Sequence, residues 1–133
     1  MSQENVEVVR GGWDAWLRGD ISEALTYFDD DVVATRVAPM PDVTSYHGRE
    51  GLLQILADWV EGFDDFQMST EEFIDANDEQ VVVRVHQRAV GVQSRAPIEA
   101  DFWFVHTLRN RRGIRVDIYG SKSQALKAVG LEE

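Results

Sequence analysis

VVVRVHQRAVGVQSRAPIEADFWFVHTL, residues 81–108, holds two runs of alternating apolar and polar residues on either side of QSRAP (93–97). A turn-rich segment between two period-two runs reads as a pair of long antiparallel strands. Side chains of a strand alternate between its faces. Over 81–92, Val81, Val83, Val85 and Gln87 share one face, and Val82, Arg84, His86 and Arg88 share the other. Over 98–108, Phe102, Phe104, His106 and Leu108 share one face, and Trp103, Val105 and Thr107 the other. The more apolar set must face a core. The inner face then carries two polar exceptions, Gln87 and His106. A plain core strand has no use for an imidazole among phenylalanines, whereas an apolar pocket with one polar group set into it does.

The same period extends in both directions. IRVDIYG (114–120) follows the turn RNRRG and sets Ile114, Val116 and Ile118 against Arg115, Asp117 and Tyr119. FQMSTEEFIDA (66–76) precedes the turn NDEQ, and SKSQALKAV (121–129) closes the chain as a short helix stopped by Gly130. Before residue 66 the period is helical. Val6, Val9, Trp13, Trp16 and Leu17 fall on one face of a helix over 3–18, ended by Gly19. Asp20 caps a second, short helix, with Glu23 at the capping-box position. VVATR (32–36) is a first strand, VAPMPDVTSY (37–46) a loop with Pro39 and Pro41, and GREG opens a third helix whose apolar face is Leu52, Ile55, Leu56, Trp59 and Phe63. Three helices followed by a four-strand meander imply an α+β fold. A sheet this long should curl around the helices, giving one domain over 1–133.

The 133 residues suffice for a single core. The absence of cysteine removes disulfides, thiolate nucleophiles and cysteine metal sites. The net charge of -11 argues against nucleic acid as a partner. Residues 84–115 nonetheless hold seven arginines against Glu99 and Asp101. No apolar run is long enough to span a membrane, and MSQENVEVV lacks the features of a signal peptide, so a cytoplasmic protein is expected. Of the three histidines, His86 and His106 fall on opposite strand faces and His47 in a loop. Asp29, Asp30 and Asp31 read as a turn. No metal site is expected, and no cofactor. The outer face mixes Trp103, Val105 and Tyr119 with Arg84, His86 and Arg88, which suggests a homodimer through that face.

NVEVVRGGWDAWLRGDISEALTYFDDDVV, YHGREGLLQILADW, DDFQMSTEEFIDANDEQVVVRVHQRAVG and IYGSKSQALKAVGL resemble, in order along the chain, the SnoaL-like family of the nuclear transport factor 2-like superfamily. The resemblance implies a cone-shaped, curved antiparallel sheet wrapped around three N-terminal helices, with one internal pocket and dimers through the outer sheet face. Relatives include polyketide cyclases, ketosteroid isomerases, epoxide hydrolases, dehydratases and non-enzymes, so the fold does not name a reaction. The positions of the isomerase tyrosine, general base and oxyanion aspartate fall at Gly12, Arg36 and Phe104, which argues against isomerase chemistry with that set of residues. The epoxide hydrolase aspartate falls at Ile118. The histidine and aspartate of the cyclases have His106 and Asp117 as their nearest counterparts.

The expected pocket takes Trp13, Trp16, Trp59, Phe63, Val83, Val85, Gln87, Phe102, Phe104 and Ile118 as walls for a small apolar or aromatic molecule. His106 is either an acid–base group or a core histidine that orients a ligand. Arg36 either meets an anionic ligand group from inside or lies on the surface. Three function classes stay open: a cofactor-free acid–base enzyme of cyclase or isomerase type, a non-catalytic small-molecule binder, and a dimeric interaction module.

Overall fold

The structure, a computed structural model, describes residues 2–36 and 44–131. Its elements are α1 (Ser2–Leu17), α2 (Ile21–Leu25), β1 (Phe28–Arg36), β2 (Thr44–His47), α3 (Gly48–Val60), β3 (Phe63–Asp75), β4 (Gln80–Gly91), β5 (Pro97–Arg109), β6 (Arg112–Tyr119) and α4 (Lys122–Ala128). The strands form one curved, unclosed sheet in the order β2-β1-β6-β5-β4-β3. β1 and β6 pair in parallel, and the remaining neighbours are antiparallel.

Local chemistry fixes the boundaries. Gly19 takes φ +85°, a conformation that costs glycine nothing, and ends α1. The Asp20 carboxylate accepts from the Glu23 backbone N–H at 3.1 Å and starts α2. The Glu23 carboxylate does not complete a reciprocal box; it pairs with Arg18 instead. Asn110 and Arg111, at φ 53° and 64°, turn β5 into β6 between the paired Arg109 and Arg112. Two successive positive φ values suit the twist of a tight hairpin.

Three boundaries differ from the sequence reading. β1 starts at Phe28 because Phe28 pairs with Gly113, whose missing side chain leaves room for the ring; a Cβ there would meet the ring at 2.7 Å. Thr44–His47, read as loop, pairs with β1 as an edge strand. The rest of that loop, 37–43 with Pro39 and Pro41, lies outside the described residues. Phe63, read as the end of the third helix, opens β3 and pairs with Gly91.

The inner face of the sheet packs against α1 and α3. Val81, Val83, Val85, Phe104, Leu108, Val116 and Ile118 are buried there with Val6, Val9, Trp13, Leu52 and Ile55. The outer face has a second, smaller core. α4 lies over it, burying Val82 and Val105 against Ala125 and Val129, with Trp103 and Tyr119 packed alongside. This corrects one expectation: Val105 is only 1% exposed within the single chain, so it cannot be part of a surface offered to a partner.

Candidate functional site

A cavity of about 60 Å³ lies between α1, α2, α3 and the inner faces of β1, β5 and β6. Trp13 and Trp16 of α1, Leu52, Ile55 and Leu56 of α3, Ala34 of β1, and Val116 and Ile118 of β6 form most of its wall, and β5 contributes Phe104, His106 and Leu108. These meet because α1 and α3 each present an apolar stripe to strands whose inward positions recur every second residue. Trp13 and Phe104 pack edge to face, centroids 5.0 Å apart, and the Phe104 and His106 rings stack at 6.4 Å.

His106 is 5% exposed and its environment is specific. The Trp13 indole Nε1–H donates to His106 Nε2 at 3.0 Å. An indole nitrogen is only ever a donor, so Nε2 carries a lone pair and the ring proton sits on Nδ1. No hydrogen bond to Nδ1 occurs among the described residues. Burial disfavours the imidazolium and pushes the pKa down to about 4. The Trp13 bond, which the protonated ring could not accept, acts in the same direction. The cavity therefore contains a neutral imidazole of fixed tautomer, with one N–H left for something else.

The expected pocket residues divide into groups. Trp13, Trp16, Phe104, His106 and Ile118 line the cavity. Trp59, Gln87 and Phe102 stand outside its wall as a separate cluster: Trp59 Nε1–H donates to Gln87 Oε1 at 2.6 Å, and the Trp59 and Phe102 rings meet edge to face at 4.7 Å. Val83 and Val85 are fully buried core. Phe63 lies 6.1 Å from Phe66 at the start of β3. Gln87 thus has its carbonyl occupied and does not reach the cavity.

Arg36 and Asp117 fall on opposite sides of the sheet. Arg36 shares the inner face of β1 with the buried Val32 and Ala34. Asp117 pairs in register with Val105 on the outer face and is held there by Arg115 at 3.0 Å. The pairing of Asp117 with His106 suggested by the cyclases is therefore corrected by strand parity.

The outer face carries a ladder of charge. Arg84 donates twice to Asp101, at 3.0 and 2.8 Å, and His86 meets Asp101 at 2.6 Å and Glu99 at 3.0 Å. The Asp101 bond first, and the Glu99 bond next, raise the His86 pKa. The two strand histidines are thus driven in opposite directions, His86 towards the charged form and His106 towards the neutral one.

Sequence reasoning missed Tyr27 and Phe28, which line the cavity together with Leu25, Leu53 and Gly113. Their signal was an aromatic pair directly after the second helix, obscured by the acidic run that follows it. A wider cleft of about 490 Å³, bounded by Leu17, Ile21, Val60, Phe66, Gln67 and Met68, shares Trp16 and Leu56 with the cavity.

Comparison with known proteins bears on the family and the fold. The profile of the SnoaL-like domain family matches residues 9–116. No curated protein matches the chain. Among solved structures, a nuclear transport factor 2-like protein of unknown function from Burkholderia pseudomallei K96243 is 19% identical, with a TM-score of 0.74 over 95% of this chain and 97% of that one. TerC, co-crystallised with polyporic acid, is 18% identical, with a TM-score of 0.74 over 96% and 98%. A protein named as a SnoaL-like polyketide cyclase from Mesorhizobium loti is 20% identical, with a TM-score of 0.67 over 85% and 96%. At these identities the likeness is one of fold.

Proposed function

The chain belongs to the SnoaL-like domain family, and on that footing we propose that its cavity binds one small, apolar, ring-sized molecule through an oxygen held by His106. The observation that carries this reading is the Trp13–His106 hydrogen bond. It occupies the imidazole lone pair and leaves Nδ1–H as a donor beside an apolar hollow. A general base needs that lone pair free and a pKa near the working pH. A general acid needs the ring protonated, which a pKa of about 4 prevents at neutral pH. Among the described cavity-lining residues, only Tyr27 could supply a second titratable group. Binding is thus better supported than acid–base catalysis.

Size supports a modest ligand. About 60 Å³ is less than half of the roughly 150 Å³ of an apolar cavity that takes benzene, so a single ring enters only as the walls move apart. A larger molecule would have to part Trp16 from Leu56 and extend into the neighbouring cleft. TerC, which shares the fold, was crystallised with an organic ligand, in keeping with a small organic molecule here.

Acetophenone and ethylbenzene test the reading, because they differ chiefly in the carbonyl oxygen. Both are expected to bind by calorimetric titration, acetophenone about fivefold tighter, the worth of roughly 1 kcal/mol for one hydrogen bond. In His106→Phe, ethylbenzene should still bind and the preference should vanish. Equal affinities in the unaltered protein, or a preference that survives in His106→Phe, would contradict the assignment.

We propose further that the part of the outer face left open by α4, with Arg84, His86, Arg88, Trp103 and Tyr119, pairs with a second copy. An isologous contact of about 1,600 Å² is ordinary for a stable dimer. Sedimentation at micromolar concentration should then give a species of twice the chain mass, which Arg84→Glu converts to the single chain. A monomer throughout would rule the pairing out.

A further inference from the structure

The end of β1 carries a polar cluster that the cavity does not use. Arg36 pairs in register with Ile118, and Ala34 with Val116; Ala34, Val116 and Ile118 all line the cavity. Arg36 shares their face, one pleat beyond Ala34. Beside it, Tyr46 of β2, which pairs with Ala34, donates its hydroxyl to Asp58 Oδ2 at 2.6 Å, and Gln54 Nε2 donates to Asp58 Oδ1 at 2.7 Å. Both Asp58 oxygens are thus engaged by neutral donors. Among the described residues Arg36 forms no ion pair; its side chain hydrogen-bonds with Tyr46, while its buried Nε has no partner. Native interiors rarely leave such a donor unused. The charge of Arg36 is felt locally: after the Tyr46 and Gln54 bonds, it contributes to holding Asp58 below its usual range.

We propose that Arg36 forms a carboxylate subsite at the rim of the cavity, so that the preferred ligand is a ring bearing an oxygen for His106 and a carboxylate at the opposite end. This rests on the reading of His106 given above. The spacing is set by the sheet. His106 is level with Val116 and hence with Ala34, two strands away from it, and Arg36 lies one pleat further along. Two strand spacings and one pleat put the Cα atoms roughly 12 Å apart. Both side chains point into the inner face and shorten that gap. The remaining span suits a para-substituted ring. A guanidinium is matched in shape and charge to a carboxylate, and it is unlike anything else on this apolar wall.

The test compares acetophenone with para-acetylbenzoate, which adds the carboxylate across the ring from the carbonyl. In the unaltered chain para-acetylbenzoate should bind at least about tenfold tighter, as expected for a charge-assisted hydrogen bond. Arg36→Met should abolish the gain and leave acetophenone binding in place; Arg36→Lys, which keeps the charge but not the fork, should retain part of it and serves if the methionine variant does not fold. If acetophenone binds and the carboxylate adds nothing, or if the gain persists in Arg36→Met, the subsite is wrong while the His106 reading stands. If the carboxylate compound binds through Arg36 and acetophenone does not bind at all, the subsite stands and the His106 reading fails. Binding of neither overturns both.

Discussion

Trp13→Ala is expected to cost about 3–5 kcal/mol of folding stability, the range for truncating a buried aromatic to alanine. Trp13 is 7% exposed, packs edge to face on Phe104 and donates to His106. Truncation removes the ring from the inner core and leaves the His106 Nε2 acceptor without its donor. Trp13→Phe reduces the packing loss, since it keeps an aromatic ring while deleting the N–H and part of the indole's volume. It should cost about 1–3 kcal/mol, the range for leaving one buried polar group unpaired. Urea denaturation measures both. A Trp13→Ala cost below about 1 kcal/mol would mean that the tryptophan is not part of the core.

The second large effect is on acid stability. The His106 pKa is depressed from 6.5 to about 4, so the unfolded chain binds this proton at a higher pH than the folded one does. Stability from this group is complete above pH 6.5 and is lost as the pH falls towards 4, by about 3 kcal/mol in all. His86 acts in the opposite sense. Its raised pKa contributes stability that is present below 6.5 and lost as the pH rises through the folded value. Asp58 and Asp101 have lowered pKa values, so their contributions are lost mainly below their ordinary value of 3.8, outside this window. Denaturation between pH 7 and 4 should therefore show a decline that His106→Gln removes, because glutamine keeps an acceptor for Trp13 and does not titrate. An unchanged decline in that variant would place its origin elsewhere.

Much of the fold can be read from the period of the sequence. The inward set Val81, Val83, Val85, Phe104 and Leu108 is fixed by alternation alone, because a one-residue slip would put charge into the core. The opposed placement of His106 and Asp117 follows from the same argument. What alternation could not give was depth along the inner face. Gln87 and His106 have the same parity, yet one is tied to Trp59 and the other lines the cavity. That depends on which helix crosses which strand, a property of tertiary packing. Likewise, nothing local announced that α4 would cover Val105, or that Phe28 would settle against Gly113. Arg36 was ambiguous because the loop reading of 37–46 hid β2, and with it the pairing of Tyr46 with Ala34, one pleat from Arg36.

Burial holds His106 neutral, and Trp13 fixes its proton on Nδ1. Nitrogen chemical shifts of the isotopically labelled imidazole test this most directly. The Nδ1–H tautomer should persist from pH 7 down to about 5, with titration centred near 4, and Trp13→Phe should move that midpoint upward. A ring that titrates near 6.5, or one that carries its proton on Nε2 at neutral pH, would contradict the account.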